Sequence, residues 1–439
     1  MMLGVAGICR PDPRAAVHRK SRMHTHPDAD SAAVRAPRHG WATWALTGAV
    51  AAGVIAILTL AKAEGPVAVA GRADLPDDTV VATLGTVSAP YPKELREAAD
   101  RMRAAPKDES AAVSAARQYL DYGREVGDAR FAGAALGALQ PWLETAPDPQ
   151  ILNLAASARQ YMHDFRGAID LLGKTIELDP GNAQALLSRA NILIVQGKAK
   201  EAANDCLRLV EAANRGDLAI LCDTTTKALT ADAGQSYALL DGLLSAKMLD
   251  PALDGYGQSL LAEMARFQDW PDKARAKFQA AHAKDPGDLR TLMIFADFEL
   301  SQGRAKEAAE LLKDAPATDS IMVRQAIAAK ALGDVAGLAR LKQILCGRFE
   351  AAAAAGETAH AREAARFWLE VEGDASQGLA AAQVNWEQQR ELEDALLLVA
   401  SAAAAGKPEA MAPVEAWAAA EGVAVPIYRE AVTRAKEGP

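Results

Sequence analysis

The sequence predicts an all-α fold, a solenoid of stacked helical hairpins behind one N-terminal apolar helix. Three observations predict it. The chain repeats itself: Gln196-Gly197-Lys198-Ala199-Lys200-Glu201-Ala202-Ala203 returns as Gln302-Gly303-Arg304-Ala305-Lys306-Glu307-Ala308-Ala309, and Asp179-Pro180-Gly181 returns as Asp285-Pro286-Gly287, both 106 residues on. That offset is three 34-residue units plus four, and the distances Ala168 to Ala202 and Ala274 to Ala308 give 34 directly. Small and apolar residues recur at three- and four-residue spacing, the stripe of a packed helix. Half of the 439 residues are hydrophobic, largely alanine, while aromatics are only 5%. Such a balance suits close-packed helices rather than a large β-sandwich. A period of this size marks hairpins that bury their apolar faces only against their neighbours.

The N-terminal part comes first. Residues 1–40 carry seven Arg/Lys against three Asp/Glu, a charge of +4, which leaves −13 for the rest of the chain's −9. Met23 offers a second start, since residues 1–22 show no pattern. Trp41 to Ala61 are 21 positions without a charge, enough to cross a bilayer core of about 30 Å as a helix. The basic tail then stays in the cytoplasm and the acidic remainder is exported, to the bacterial periplasm. Ala61-Lys62-Ala63 fits a signal-peptidase site, so residues 41–63 read either as a retained single-pass inner-membrane anchor or as a cleaved signal peptide. Pro66, Pro76 and Pro90 make 64–90 an extended tether, with Val80 to Leu84 the one tempting strand. Helical spacing resumes at Pro92, a favoured first-turn residue, and the solenoid runs over 91–437.

Within the solenoid, the unit Pro149 to Asn182 shows how the period becomes structure. Leu152, Ala155 and Ala156 mark a first helix, Asp164-Phe165-Arg166-Gly167 a turn, and Ala168, Leu172 and Thr175 the inner stripe of a second. Asp179-Pro180-Gly181 ends it, because proline lacks the N–H and disfavours α geometry before it. These residues resemble the tetratricopeptide repeat, a 34-residue helix–turn–helix. The matching slots are Ala156, Phe165, Ala168 and Pro180, then Ala190, Gly197 and Ala202; Ala262, Trp270, Ala274, Phe278 and Pro286, then Ala296, Gly303, Ala308 and Leu312. Leu152, Leu186 and Leu292 replace the usual aromatic of the first helix. Further units are expected at about 109–145, 217–251, 318–350, 357–388 and 391–421, with an insertion or irregular joint near 210–254. The resemblance implies a right-handed α-solenoid, of the exported or membrane-anchored bacterial type, that binds proteins.

The chemistry-bearing residues are sparse. No Cys-x-x-Cys, nucleophile elbow, phosphate loop, dinucleotide fingerprint or His-Glu-x-x-His is present, so no enzyme activity, cofactor or metal is expected. The histidine cluster of His18, His24, His26 and His39 lies in the tail without a scaffold. An acidic solenoid disfavours nucleic acid, whose phosphates demand a basic surface. Cys206 falls on a second helix facing inward and Cys222 on the first helix of the next unit, antiparallel neighbours in a hairpin stack. They read either as a disulfide, which export would favour, or as two buried thiols. Cys346 reads as a core residue.

What remains is the groove. In repeats of the resembled family the first helices line the concave wall, and positions facing away from the partner helix are free to touch a ligand. This register gives Asn153, Ser157, Gln160 and Tyr161, then Gln184 and Asn191, an amide-rich patch suited to an extended peptide backbone. In the second half it gives Tyr256, Glu263, Arg266 and Phe267, then Arg290, Met293 and Asp297. Leu187 and Asn153 stand where a carboxylate-clamping lysine would be expected, which disfavours a co-chaperone role. The leading reading is a protein–protein scaffold or adaptor on the periplasmic side of the inner membrane, holding a partner protein or peptide in the groove. The alternative is an accessory subunit that presents a small ligand or metal to a membrane transport or assembly complex.

Overall fold

The computed structural model describes residues 91–126, 128–145 and 148–437. The basic tail, the apolar segment and the tether lie outside the described residues, as does the Val80–Leu84 strand. Among the described residues all regular structure is helical, and no helix is long and apolar enough to cross a membrane.

A short leading helix, α1 (Lys93–Ala104), precedes α2 (Glu109–Val126) and α3 (Arg130–Thr145). The next hairpins are α4 (Pro149–Tyr161) with α5 (Phe165–Leu178), α6 (Ala183–Val195) with α7 (Ala199–Glu211), and α8 (Gly216–Lys227) with α9 (Ala233–Ser245). A 3-10 turn (Pro251–Leu253) leads into α10 (Asp254–Phe267) and α11 (Pro271–Lys284), then α12 (Leu289–Ser301) and α13 (Ala305–Leu312). The chain continues through α14 (Asp319–Leu332), α15 (Val335–Ala355), α16 (Ala361–Arg366) with a π-helical turn (Phe367–Glu372), and α17 (Ala375–Gln388). It ends in α18 (Leu392–Ala404), α19 (Ala412–Glu421) and α20 (Pro426–Glu437). From α1 to α18 helices pack mainly on their neighbours in the chain, as stacked hairpins must, whereas α20 packs on α18 and on α10.

Local sequence explains the boundaries. The side chains of Asp148, Asp164, Asn182, Asp288, Thr318, Asp334 and Asp374 each accept a hydrogen bond from a first-turn backbone N–H of the helix that follows. Each such cap contributes about 1 kcal/mol. Between the two helices of a unit the backbone passes through the left-handed region at His163 (φ 61°), Gly197 (φ 74°), Asp269 (φ 56°) and Gly303 (φ 71°). These positions obey the repeat: 163 and 197, like 269 and 303, are 34 apart, and the two pairs differ by 106. The four extra residues fall between α8 and α10, which begin 38 apart against 34 for α4 and α6, and the 3-10 turn lies in that interval.

The small-residue slots form the interior. Ala156, Ala168, Ala190 and Ala202, like Ala262, Ala274, Ala296 and Ala308, are at most 1% exposed, which lets the helix backbones approach closely. Larger side chains fill the second half, where Phe278 stacks on Phe295 at 5.3 Å between ring centroids. Cys206 of α7 and Cys222 of α8 are joined in a disulfide with Cα atoms 5.4 Å apart, both sulfurs buried. Cys346 is buried in the core around Leu345 and Phe349.

Candidate functional site

The groove positions divide sharply. In the first half, Asn153 Nδ2 donates to Asn182 Oδ1 at 3.1 Å, and that oxygen also caps α6 by accepting from the Ala185 N–H. Asn153 therefore braces one hairpin against the next. The Tyr161 hydroxyl donates to the Gly123 carbonyl at 3.0 Å. Gln184 is exposed and donates to Ser188 Oγ, while Ser157, Gln160 and Asn191 are half-buried. Tyr256 is 43% exposed.

The second half corrects the expectation of an open charged wall. Glu263 is buried and accepts two hydrogen bonds from Arg290 of the next first helix, at 2.7 and 3.1 Å. Asp297 accepts from Arg324 at 2.6 Å and from Arg366 at 2.8 Å. Arg362 forks between Asp394, at 2.6 and 2.7 Å, and Glu391 at 2.7 Å. Arg266 pairs with Glu393. The first helices α10, α12, α14, α16 and α18 are thus stitched by an ionic ladder along the face that the register assigned to a ligand. Burial works against the charged form in this ladder, pushing the Glu263 and Asp394 carboxyls above their usual range. At Asp297 burial also pushes upward, but the Arg324 and Arg366 guanidiniums win and hold the carboxyl below it. Phe267, expected on the groove surface, is 6% exposed and belongs to the hydrophobic cluster of the last helices, with Trp386, Leu398 and Val414.

The reason is that the C-terminal segment folds back onto the hairpin turns. Gln389 Nε2 lies 3.3 Å from His163 Nδ1 in the α4–α5 turn. The Arg390 N–H donates to the Val195 carbonyl at 2.7 Å, and the Trp417 indole N–H to the Gly197 carbonyl at 3.0 Å, both at the α6–α7 turn. The Ala424 N–H donates to the Leu229 carbonyl at 2.7 Å in the α8–α9 turn. Arg266 and Phe267 complete the row at the α10–α11 turn. One turn from each of four successive hairpins therefore seats on residues 389–424. Periodicity cannot reveal this, because Gln196-Gly197-Lys198 and Gln302-Gly303-Arg304 are near-identical locally and, among the described residues, only the first is covered.

Beside the fold-back lies a cleft of about 2750 Å³. The α2–α3 and α4–α5 turns form one side, with Tyr161 and His163. Residues of α11 to α15 form the other, and Gln388 and Gln389 line it from the end of α17 onward. Leu292, Met293 and Phe295 supply an apolar floor. Small-molecule sites are typically about 300–1,000 Å³, so this space suits a polypeptide segment better. Among the described residues no group of three His, Cys, Asp or Glu is placed to hold a metal ion.

Residues 270–329 match the tetratricopeptide repeat family model. No curated protein matches the chain. Among solved structures, it is similar to the APC/C hetero-tetramer Cut9-Hcn1 at 12% identity and a TM-score of 0.47, covering 78% of this chain and 66%, just under two thirds, of that one. It is similar to a tetratricopeptide repeat protein from Parabacteroides merdae at 12% identity and a TM-score of 0.34, covering 71% and 99%. It is also similar to the human IFIT1 dimer with m7Gppp-AAAA at 13% identity and a TM-score of 0.43, covering 74% and 84%. At these values none of the three assigns a partner or an activity to this chain. Over residues 270–329 the chain carries tetratricopeptide repeats.

Proposed function

We propose that this protein is a non-catalytic interaction scaffold that holds an extended segment of a partner protein in the cleft between its early hairpin turns and α11 to α15. The cleft itself carries the reading: its volume, apolar floor and charged rims fit a peptide. It replaces the second-half groove as the docking place, since the ionic ladder and the fold-back fill that face. Gln160, Gln184, Asn191 and Tyr256 remain available as secondary contacts. We further propose that the scaffold works on the periplasmic side of a bacterial inner membrane. The uncharged run 41–61, the basic tail before it and the disulfide support this, because disulfides persist in oxidising compartments.

Photo-crosslinking in cells tests the binding half. A probe at Tyr161 or Met293, both lining the cleft, should capture a protein, and one at exposed Lys174 on α5 should not. Equal capture from both places would contradict the cleft reading. Alkaline phosphatase fused after Pro439 should be active; a fusion active only when the reporter needs the cytoplasm would overturn export.

A further inference from the structure

The cleft's charge names the class of partner, an inference that rests on the cleft reading above. Its lining holds eleven Asp/Glu against six Arg/Lys. Two of the six are engaged outside it: Arg124 pairs with Asp121 and Arg362 with Asp394. Arg362 still acts on Glu363 of the lining, and Arg159 and Arg304 from outside it pair with Asp164 and Glu299, so the excess negative charge rests on the exposed carboxylates. On α13 and just beyond it, Glu307, Glu310 and Asp314 are exposed at spacings of three and four, a stripe along one helix face. Among the described residues, only Glu310 of these has a cation in an ion pair, the exposed Lys313, and such surface pairs contribute little. Exposed Glu125 and Glu357 belong to the same lining, on the last turn of α2 and the α15–α16 loop. Like charges on facing walls repel across the gap, and a cationic ligand between them removes that repulsion while steering its own approach. The floor of Leu292, Met293 and Phe295 asks for apolar side chains between the cations.

We infer that the cleft takes a basic, partly apolar segment of a partner protein, with lysines or arginines against the Glu307–Asp314 stripe and aliphatic side chains on the floor.

Fluorescence anisotropy of the full chain tests this with two short labelled peptides that differ only in having Lys or Glu at every charged position. The Lys peptide should bind, weakening at least tenfold between low salt and 0.5 M salt, and the Glu peptide should not. The double reversal Glu307→Lys with Asp314→Lys, both exposed, should weaken the Lys peptide at least tenfold. Glu177→Lys with Glu211→Lys, an equal charge change on exposed residues outside the cleft, should leave it within about twofold. Equal weakening by both pairs would overturn the assignment to the cleft. Failure of the Lys peptide to bind, or equal binding of the Glu peptide, would overturn the charge inference. The cleft reading would then still be judged by capture from Tyr161.

Discussion

The indole of Trp417 closes on the backbone of Gly197, 220 residues away, donating its N–H to the Gly197 carbonyl at 3.0 Å. Gly197 and its repeat equivalent Gly303 share the left-handed conformation, but a Cβ on Gly197 would lie 2.6 Å from Trp417 Nε1, whereas one on Gly303 would meet nothing within 4 Å. Alanine at either site carries a left-handed penalty of about 1–2 kcal/mol. Gly197→Ala should therefore lower Tm more than Gly303→Ala, and it alone should speed amide exchange across residues 390–424. Equal effects would mean that the C-terminal segment does not seat on this turn.

The same turn position gives an opposite prediction at Asp269, an exposed non-glycine at φ 56°. Asp269→Gly removes the steric cost of a Cβ there, partly offset by glycine's larger unfolded-state entropy. Denaturant unfolding should show a gain of about 0.5–1 kcal/mol. His163→Gly should gain less, because it also deletes the contact with Gln389.

His163 makes the fold-back sensitive to acid. Burial pushes its pKa below the ordinary 6.5, the nearby Glu363 opposing and Arg362 and His360 reinforcing that shift. The amide nitrogen of Gln389 can only donate, so Nδ1 accepts and the ring is neutral with its proton on Nε2. A folded pKa below the unfolded one means a contribution fully present above about pH 6.5 and lost as pH falls through the folded value. Proteolysis of the 389–424 region should accelerate as pH falls below the ordinary histidine value of 6.5, and His163→Asn, which tolerates the turn conformation, should flatten that dependence.

The ionic ladder predicts a large asymmetry. Asp297 pairs with the buried Arg324 and with Arg366; Arg366 keeps a second carboxylate in Glu370, so removing Asp297 strands Arg324. Asp297→Ala should cost about 3–5 kcal/mol, measured by urea unfolding. Glu430→Ala, which breaks the exposed pair with Arg434, should cost under about 0.5 kcal/mol.

The disulfide closes a short loop, its cysteines 16 residues apart. Cys206→Ala with Cys222→Ala should destabilise by about 3 kcal/mol through the entropy returned to the unfolded chain. Thiol labelling of the unfolded, unreduced protein should leave both residues unmodified.

Much of the helical stack is written in local sequence, and the reason is physical. A solenoid unit meets only its neighbours, so its slots at Ala156, Ala190, Ala262 and Ala296 and its turns at Gly197 and Gly303 follow from spacing alone. Helix ends such as Asp179-Pro180-Gly181 were legible, and the Cys206–Cys222 pairing as one of two readings. The fold-back was not legible, because nothing near Gly197 or Leu229 in the chain marks them as seats for Trp417 and Ala424. That non-local contact misled the register at Phe267, whose apolar ring reads equally as a ligand contact or as a core residue until the helix covering it is known. Glu263 and Asp297 misled in the same way: a charged residue on a first helix can face solvent or an arginine one repeat further on, and periodicity does not distinguish them.

The C-terminal segment lies against the early hairpin turns, and the cleft exists only with that closure in place. Carbodiimide coupling tests this directly, since it joins a lysine amine to a carboxylate only where the fold brings the two side chains within reach of each other. Lys200 meets the end of α19, its N–H 3.1 Å from a Glu421 carboxylate oxygen and its ammonium on the Ala420 carbonyl. Mass spectrometry of the coupled protein should recover a Lys200–Glu421 peptide pair within single molecules. Coupling of Lys200 only to carboxylates of its own or adjoining repeats would contradict the closure, and with it the placement of the cleft.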